Sequence, residues 1–227
     1  METKYIRREL SAVIEEAYRY FSVITVTGPR QSGKTTLIRN LFPHLPYYSL
    51  ENLDVRSFAE NDPVAFLNQH TEGMILDEVH NAPNLLSYIQ GMVDADADRR
   101  FILSGSSQFA MLKKVTQSLA GRTAVFELLP MSYSEIREIA ADTPLDHLLF
   151  NGFYPAIYSG RNVPKFLYPA YMKTYLDKDV RDLLQIKDMM QFHTFIRLCA
   201  GRIGSLFKAS ELANEIGISS HTVTAWL

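Results

Sequence analysis

A single cysteine, Cys199, leaves this 227-residue chain with no internal disulfide and no Cys-based zinc cluster, and it suits a reducing compartment. Long apolar runs are missing too. No stretch approaches the roughly 20 residues a membrane-spanning helix needs, and the opening residues lack the apolar segment of a signal peptide, so the chain reads as soluble and cytoplasmic, with no membrane partner. Neither charge is in excess: 23 Lys and Arg stand against 25 Asp and Glu, a net charge of −2. That balance supplies no bulk positive field for a nucleic acid. There are no internal repeats or low-complexity segments. What is present, 47% hydrophobic against 21% charged residues, is ordinary globular composition, in a length that accommodates one α/β domain and a smaller appendage.

Hydrophobic patterning alternates between two periods. Leu10, Val13, Ile14, Ala17, Tyr20 and Phe21 recur at helical spacing and predict an amphipathic opening helix. Short β-branched or apolar runs follow at 23–27, 47–50, 73–76, 101–104 and 124–128, read as strands. Between them lie helical patterns at 34–42, through residue 69, after Pro83, and at 108–119. Ser132 with Glu135 three residues on predicts a capping box for a helix over 133–139. Strands alternating with helices imply right-handed crossovers and a parallel sheet covered by helices on both faces.

Gly28-Pro29-Arg30-Gln31-Ser32-Gly33-Lys34-Thr35 satisfies the G-x-x-x-x-G-K-[ST] phosphate-loop pattern at every fixed position, after a strand and before a helix. That context aims backbone N–H groups and the positive end of a helix at phosphates. Lys34 is placed to bridge the β- and γ-phosphoryl oxygens of ATP, Thr35 is a hard oxygen ligand suited to Mg²⁺, and Thr36 completes the binding segment. Met74-Ile75-Leu76-Asp77-Glu78 is an apolar strand ending in two carboxylates. Asp77 is expected to hold magnesium through its water shell, and Glu78 to orient or deprotonate the attacking water. Ser106 is the first choice for a γ-phosphate or water sensor, with Ser104 second and a helix-capping role as the bland alternative. Arg122 stands before the fifth strand, where it either neutralises transition-state charge, in cis or from a neighbouring subunit, or is a surface arginine. His80 is read as a coupling residue or a solvated loop residue.

The alternation ends near residues 142–144. The domain reading is an ATPase domain at 1–143, a connector at 144–168 and a helical region at 169–227. Ala213 and Gly217, among Leu212, Ile216, Ile218 and Val223, predict a helix-turn-helix. The chain stops inside its second helix, where Trp226 and Leu227 are expected to pack on something further on, as in a fragment of a longer protein.

In order, the motifs at 28–37, 76–79, 101–107, 118–122 and 130–135, then Tyr171-Met-Lys-Thr-Tyr-Leu-Asp-Lys-Asp-Val-Arg181 and the helix-turn-helix, resemble a family of bacterial and archaeal ATPases of the AAA superfamily. The resemblance implies an ATPase domain, a helical connector and a winged helix, partial here. It also implies a functional Arg122, since Leu-Ala-Gly-Arg is a family hallmark. The family often has Gln at the position of His80 and continues into a further, nuclease-like domain. The expected activity is hydrolysis of Mg·ATP that repositions the C-terminal region, in an oligomer if Arg122 acts in trans. A DNA-binding or protein-interaction module that uses ATP as a regulatory ligand is the alternative. Lys208 to Leu227 has one lysine against Glu211 and Glu215, which argues against phosphate contacts. A helicase would need a second motor domain, and Glu78 after Asp77 favours water over a bound hydroxyl, so kinase chemistry is set aside.

Overall fold

The computed structural model describes residues 5–105, 118–174, 186 and 188–227. Ser106, residues 108–117 of the helix expected at 108–119, and much of the motif at 171–181 lie outside these residues. The chain divides into two compact units, Met1–Pro164 and Lys165–Leu227.

In the first unit α1 (Leu10–Ala17) leads to β1 (Val23–Thr27), followed by α2 (Lys34–Leu41), β2 (Tyr47–Ser49), α3 (Leu53–Asn61) and α4 (Pro63–Leu67). Then come β3 (Gly73–Asp77), a 3₁₀ turn (Val79–Asn81), α5 (Leu85–Ala95), β4 (Arg100–Ser104), β5 (Thr123–Glu127) and α6 (Tyr133–Ile139). Short helices α7 (Leu145–Asn151) and α8 (Pro155–Tyr158) follow. The five strands form one parallel sheet in the order β2-β3-β4-β1-β5. Alternate strand residues face opposite sides. Ile24, Val26, Ile75 and Ile102 accordingly pack with Ile14 of α1 and Leu37 and Ile38 of α2. Val23, Met74, Leu76, Phe101 and Leu103 pack with Phe66 and Leu67 of α4 and with Leu85, Ile89 and Val93 of α5. Both faces are thus covered, and residues 23–27 and 73–77 are buried throughout.

Two helical expectations change. The packed stripe of α1 is buried Ile14 flanked by partly buried Leu10 and Ala17; Val13 is 51% exposed, and Tyr20, past the helix end, is 77% exposed. The single helix expected through residue 69 is two helices. Pro63 has no N–H to continue α3, and Asp62 starts α4 by accepting from the Ala65 N–H at 3.0 Å.

The described residues of the second unit contain α9 (Pro164–Tyr171), which begins at the last residue of the first unit, α10 (Met189–Ala200), α11 (Ala209–Ile216) and α12 (Ser220–Trp226), and no strand. It is an all-helical region. Gly217 ends α11 in the left-handed conformation at φ 78°, and Ser219 caps α12 through the Thr222 N–H at 3.0 Å. The Trp226 ring lies edge-on to Phe192 and Phe195 of α10, with centroids 5.2 and 5.6 Å away. Leu227 is exposed.

Candidate active site

In a parallel sheet the C-terminal ends of all strands share one edge, and here β1, β3 and β4 bring the phosphate loop, Asp77 and Ser104 to it. The loop turns away from β1 at Gly28, φ 141°, where a Cβ would lie 2.2 Å from the Leu128 carbonyl oxygen. Gln31 is left-handed at φ 63°, and Gly33, at φ 98°, is the N-cap of α2. The loop is therefore a curled backbone feeding a helix start, the geometry in which N–H groups converge on an anion. Lys34, almost fully buried, donates to the carbonyls of Gly28 and Pro29, each at 3.0 Å. Burial pushes its pKa below the ordinary lysine value; the carboxylates of Glu78 and Asp77 oppose that shift, and Arg30 adds to it.

Asp77, 4% exposed, is the hub. Its Oδ2 accepts from the Thr35 hydroxyl at 2.7 Å and from the Tyr47 hydroxyl at 2.8 Å. Its Oδ1 accepts from the Ser104 hydroxyl and from the Glu78 N–H, the latter at 3.1 Å. Burial, and then the hydrogen bond and charge of Asp77, push the Tyr47 phenol well above its ordinary pKa. Thr35 and Asp77 are a pair of hard oxygens in contact. No group of three His, Cys, Asp or Glu residues able to hold a metal occurs among the described residues. A site with few protein oxygens fits Mg²⁺, which keeps several waters and binds through one or two protein ligands plus phosphates.

Glu78 follows in the left-handed region, φ 54° and ψ 47°, and its Oε2 lies 3.1 Å from Nδ1 of His80. A non-glycine residue held there costs of order 1–2 kcal/mol, and such strain clusters at functional sites. The turn at 79–81 thus sets both the glutamate and the histidine.

Arg122 is not brought to this edge. It precedes β5 at the opposite edge of the sheet, where its carbonyl accepts from the Val23 N–H at 3.1 Å. Its guanidinium forks onto Asp94 of α5, with Nη2 to Oδ2 at 2.8 Å, and Nη1 donates to the Ala120 carbonyl at 2.9 Å. Five residues of β1 separate it from the phosphate loop, a span of about 16 Å at the usual rise per strand residue.

Two residues at the site carried no signal by type or motif. Tyr47 is adjacent to Asp77 only through the register Tyr47↔Ile75 and Ser49↔Asp77. Arg8, far upstream in sequence, donates from Nη1 to the Ser32 carbonyl at 2.8 Å, inside the phosphate loop.

Loop, hub aspartate and parallel sheet together define a P-loop nucleoside triphosphatase fold that binds ATP. The chain belongs to the family described as AAA domain, which matches residues 20–137. A domain of unknown function matches residues 142–227. The chain is 29% identical over 230 residues to the uncharacterized proteins Rv2008c of Mycobacterium tuberculosis and Mb2031c of Mycobacterium bovis. The match covers 97% of this chain, which spans 50% of those relatives' length. A Walker-type ATPase of Pyrococcus abyssi shares the fold, with a TM-score of 0.53 at 12% identity over 98% of this chain and 96% of that one. No helix among the described residues is long and apolar enough to cross a membrane.

Proposed function

We propose that this chain binds Mg·ATP at the curled loop and hydrolyses it to ADP and phosphate. The observation that carries the reading is the contact between Thr35 and Asp77, 2.7 Å, directly beside the loop and followed by a strained glutamate. The N–H groups of residues 28–36 cradle the phosphate chain. Lys34 leaves the carbonyls of Gly28 and Pro29 and places its ammonium across the β- and γ-phosphoryl oxygens, where developing charge is stabilised. Thr35 and Asp77 would hold Mg²⁺, which would neutralise phosphate charge. The Glu78 carboxylate accepts a proton from water as the water oxygen attacks the γ-phosphorus; the bond from that phosphorus to the bridging oxygen breaks, and its electron pair leaves on ADP. Ser104, through Asp77, is favoured by its contact as the site serine. Ser106 keeps the sensor role only as a proposal from sequence, because it lies outside the described residues.

Arg122 is proposed to act in trans. Its position at the far sheet edge and its partial exposure suit a second copy better than its own site. The working division is an ATPase domain at 1–143, a connector at 144–168 and a region at 169–227 whose position responds to nucleotide. The pair α11 and α12, joined at Gly217, supports a winged-helix reading of that region. A protein contact is favoured over DNA for this pair. Lys208 pairs with Glu211 at 2.7 Å and Arg202 with Glu215, so their charge is already neutralised, while Ile203 and Leu206 are 88% and 85% exposed. Salt-sensitive binding to duplex DNA would reverse that preference.

Steady-state phosphate release from Mg·ATP is the test. Lys34→Ala is expected to abolish nucleotide binding at micromolar concentration, and Glu78→Gln to retain binding while losing turnover by about a hundredfold or more. Full turnover in Glu78→Gln would remove the glutamate from the mechanism, and tight binding by Lys34→Ala would remove the lysine.

A further inference from the structure

Arg8 is 6% exposed and Glu135 is 4% exposed, and the two form an ion pair with Nε to Oε1 at 3.0 Å. Neither end is left short of partners. Besides the Ser32 carbonyl, Arg8 donates from Nη2 to the Leu129 carbonyl at 2.8 Å. Glu135 also accepts from the Glu9 N–H at 2.7 Å and from the Ser132 N–H at 2.8 Å. One guanidinium therefore ties three distant pieces of chain together: the lead into α1, the phosphate loop, and the segment running from β5 into α6. A buried pair is expensive to desolvate and is not by itself a gain in stability over an apolar pair. Its value has to be sought in what it holds.

What it holds is a peptide plane. The amide joining Ser32 to Gly33 is rigid and trans, so its carbonyl and its N–H point in opposite directions. Gly33, at φ 98°, has no side chain to restrict that plane, and its N–H finds no acceptor among the described residues. Anchoring the Ser32 carbonyl on Arg8 at 2.8 Å therefore turns the Gly33 N–H away from the guanidinium. The guanidinium is close enough to guard this geometry: a Cβ on Gly33 would sit 3.8 Å from Nη1.

We propose that Arg8 is a positioning residue for the phosphate loop: it aims the Gly33 N–H at the phosphate chain, and Glu135 fixes Arg8 for that task. The inference rests on the reading of the loop as the ATP site. Glu135 is thereby more than a capping residue, since one carboxylate closes the cap of α6 and orients the arginine that orients the loop.

The experiment uses the full chain labelled with ¹⁵N-glycine, and compares wild type with Arg8→Gln and Arg8→Lys. Two quantities are read: the Kd for Mg·ADP, and the downfield shift of the Gly33 amide proton when Mg·ADP is added. In wild type the shift is large, as an N–H bonding to phosphate requires. Both variants are expected to bind Mg·ADP about tenfold more weakly or worse, as loss of a charge-assisted hydrogen bond implies. Their Gly33 shift at saturation is expected to be less than half that of wild type. A Gly33 shift that stays intact, or a Kd within twofold of wild type, overturns the proposal. So does failure of both variants to fold, which would make Arg8 a structural residue only. A wild-type chain that binds no nucleotide defeats the reading of the loop itself, an outcome separate from this one.

Discussion

Lys34 is held among groups of both signs, and burial is the largest influence on it, lowering its pKa. The sign has two consequences. Because the folded, nucleotide-free chain holds this proton less tightly than the unfolded chain does, folding stability from this group rises with pH between the lowered folded value and the ordinary lysine value. Binding of Mg·ATP needs the ammonium, so affinity falls as pH rises through the lowered value, at less alkaline pH than for an ordinary lysine. Titrating Kd between neutral and alkaline pH is expected to give that inflection in wild type and not in Lys34→Arg, whose guanidinium stays charged. At this scale the loop and Asp77 were legible because their chemistry fixes both residue type and spacing. Tyr47 and Arg8 were not. A tyrosine opening an edge strand and an arginine ahead of a helix are ordinary in sequence, and only strand register and a long-range carbonyl contact make them part of the site.

Helices and strands were legible where one periodicity ruled, as in β1, whose expected and observed limits coincide. They were less so where a single residue competed with the pattern: Pro63 divided an expected helix, and the end of α1 at Ala17 left Tyr20 outside the stripe. Glycines show how much an element's context decides. Gly73 opens β3 at φ 117° opposite Arg100, whose carbonyl oxygen would lie 1.6 Å from an added Cβ. Gly91, in the middle of α5, has open space around that point. Gly73→Ala is expected to cost more than about 3 kcal/mol by forcing β3 and β4 apart. Gly91→Ala is expected to stabilise by about 0.4–1 kcal/mol through the unfolded state and helix propensity. Urea denaturation midpoints of the two variants against wild type check both. A stable, fully folded Gly73→Ala chain would contradict the close approach of the two strands.

Across the whole molecule, the site edge of the sheet carries the loop and its carboxylates, and the opposite edge carries Arg122 on Asp94. If a second copy supplies Arg122, phosphate release per chain rises with protein concentration, and Arg122→Ala removes that rise. Mixing Arg122→Ala with Glu78→Gln should then restore activity, since each chain supplies what the other lacks. Concentration-independent turnover would leave Arg122 a surface residue held by Asp94. The strand order has a consequence for the birth of the protein as well. β1 pairs with β4 and β5, Val23 facing Phe101 and Thr123, and not with β2, which follows it in the chain. Such non-local pairing is slow to form, and during synthesis the first strand must wait for partners made much later. The phosphate loop leaves the ribosome early yet has no completed sheet to stand on until β5 has emerged. Stalled nascent chains ending before residue 123 are therefore expected not to retain on immobilised ATP, and those extended past α6 to do so.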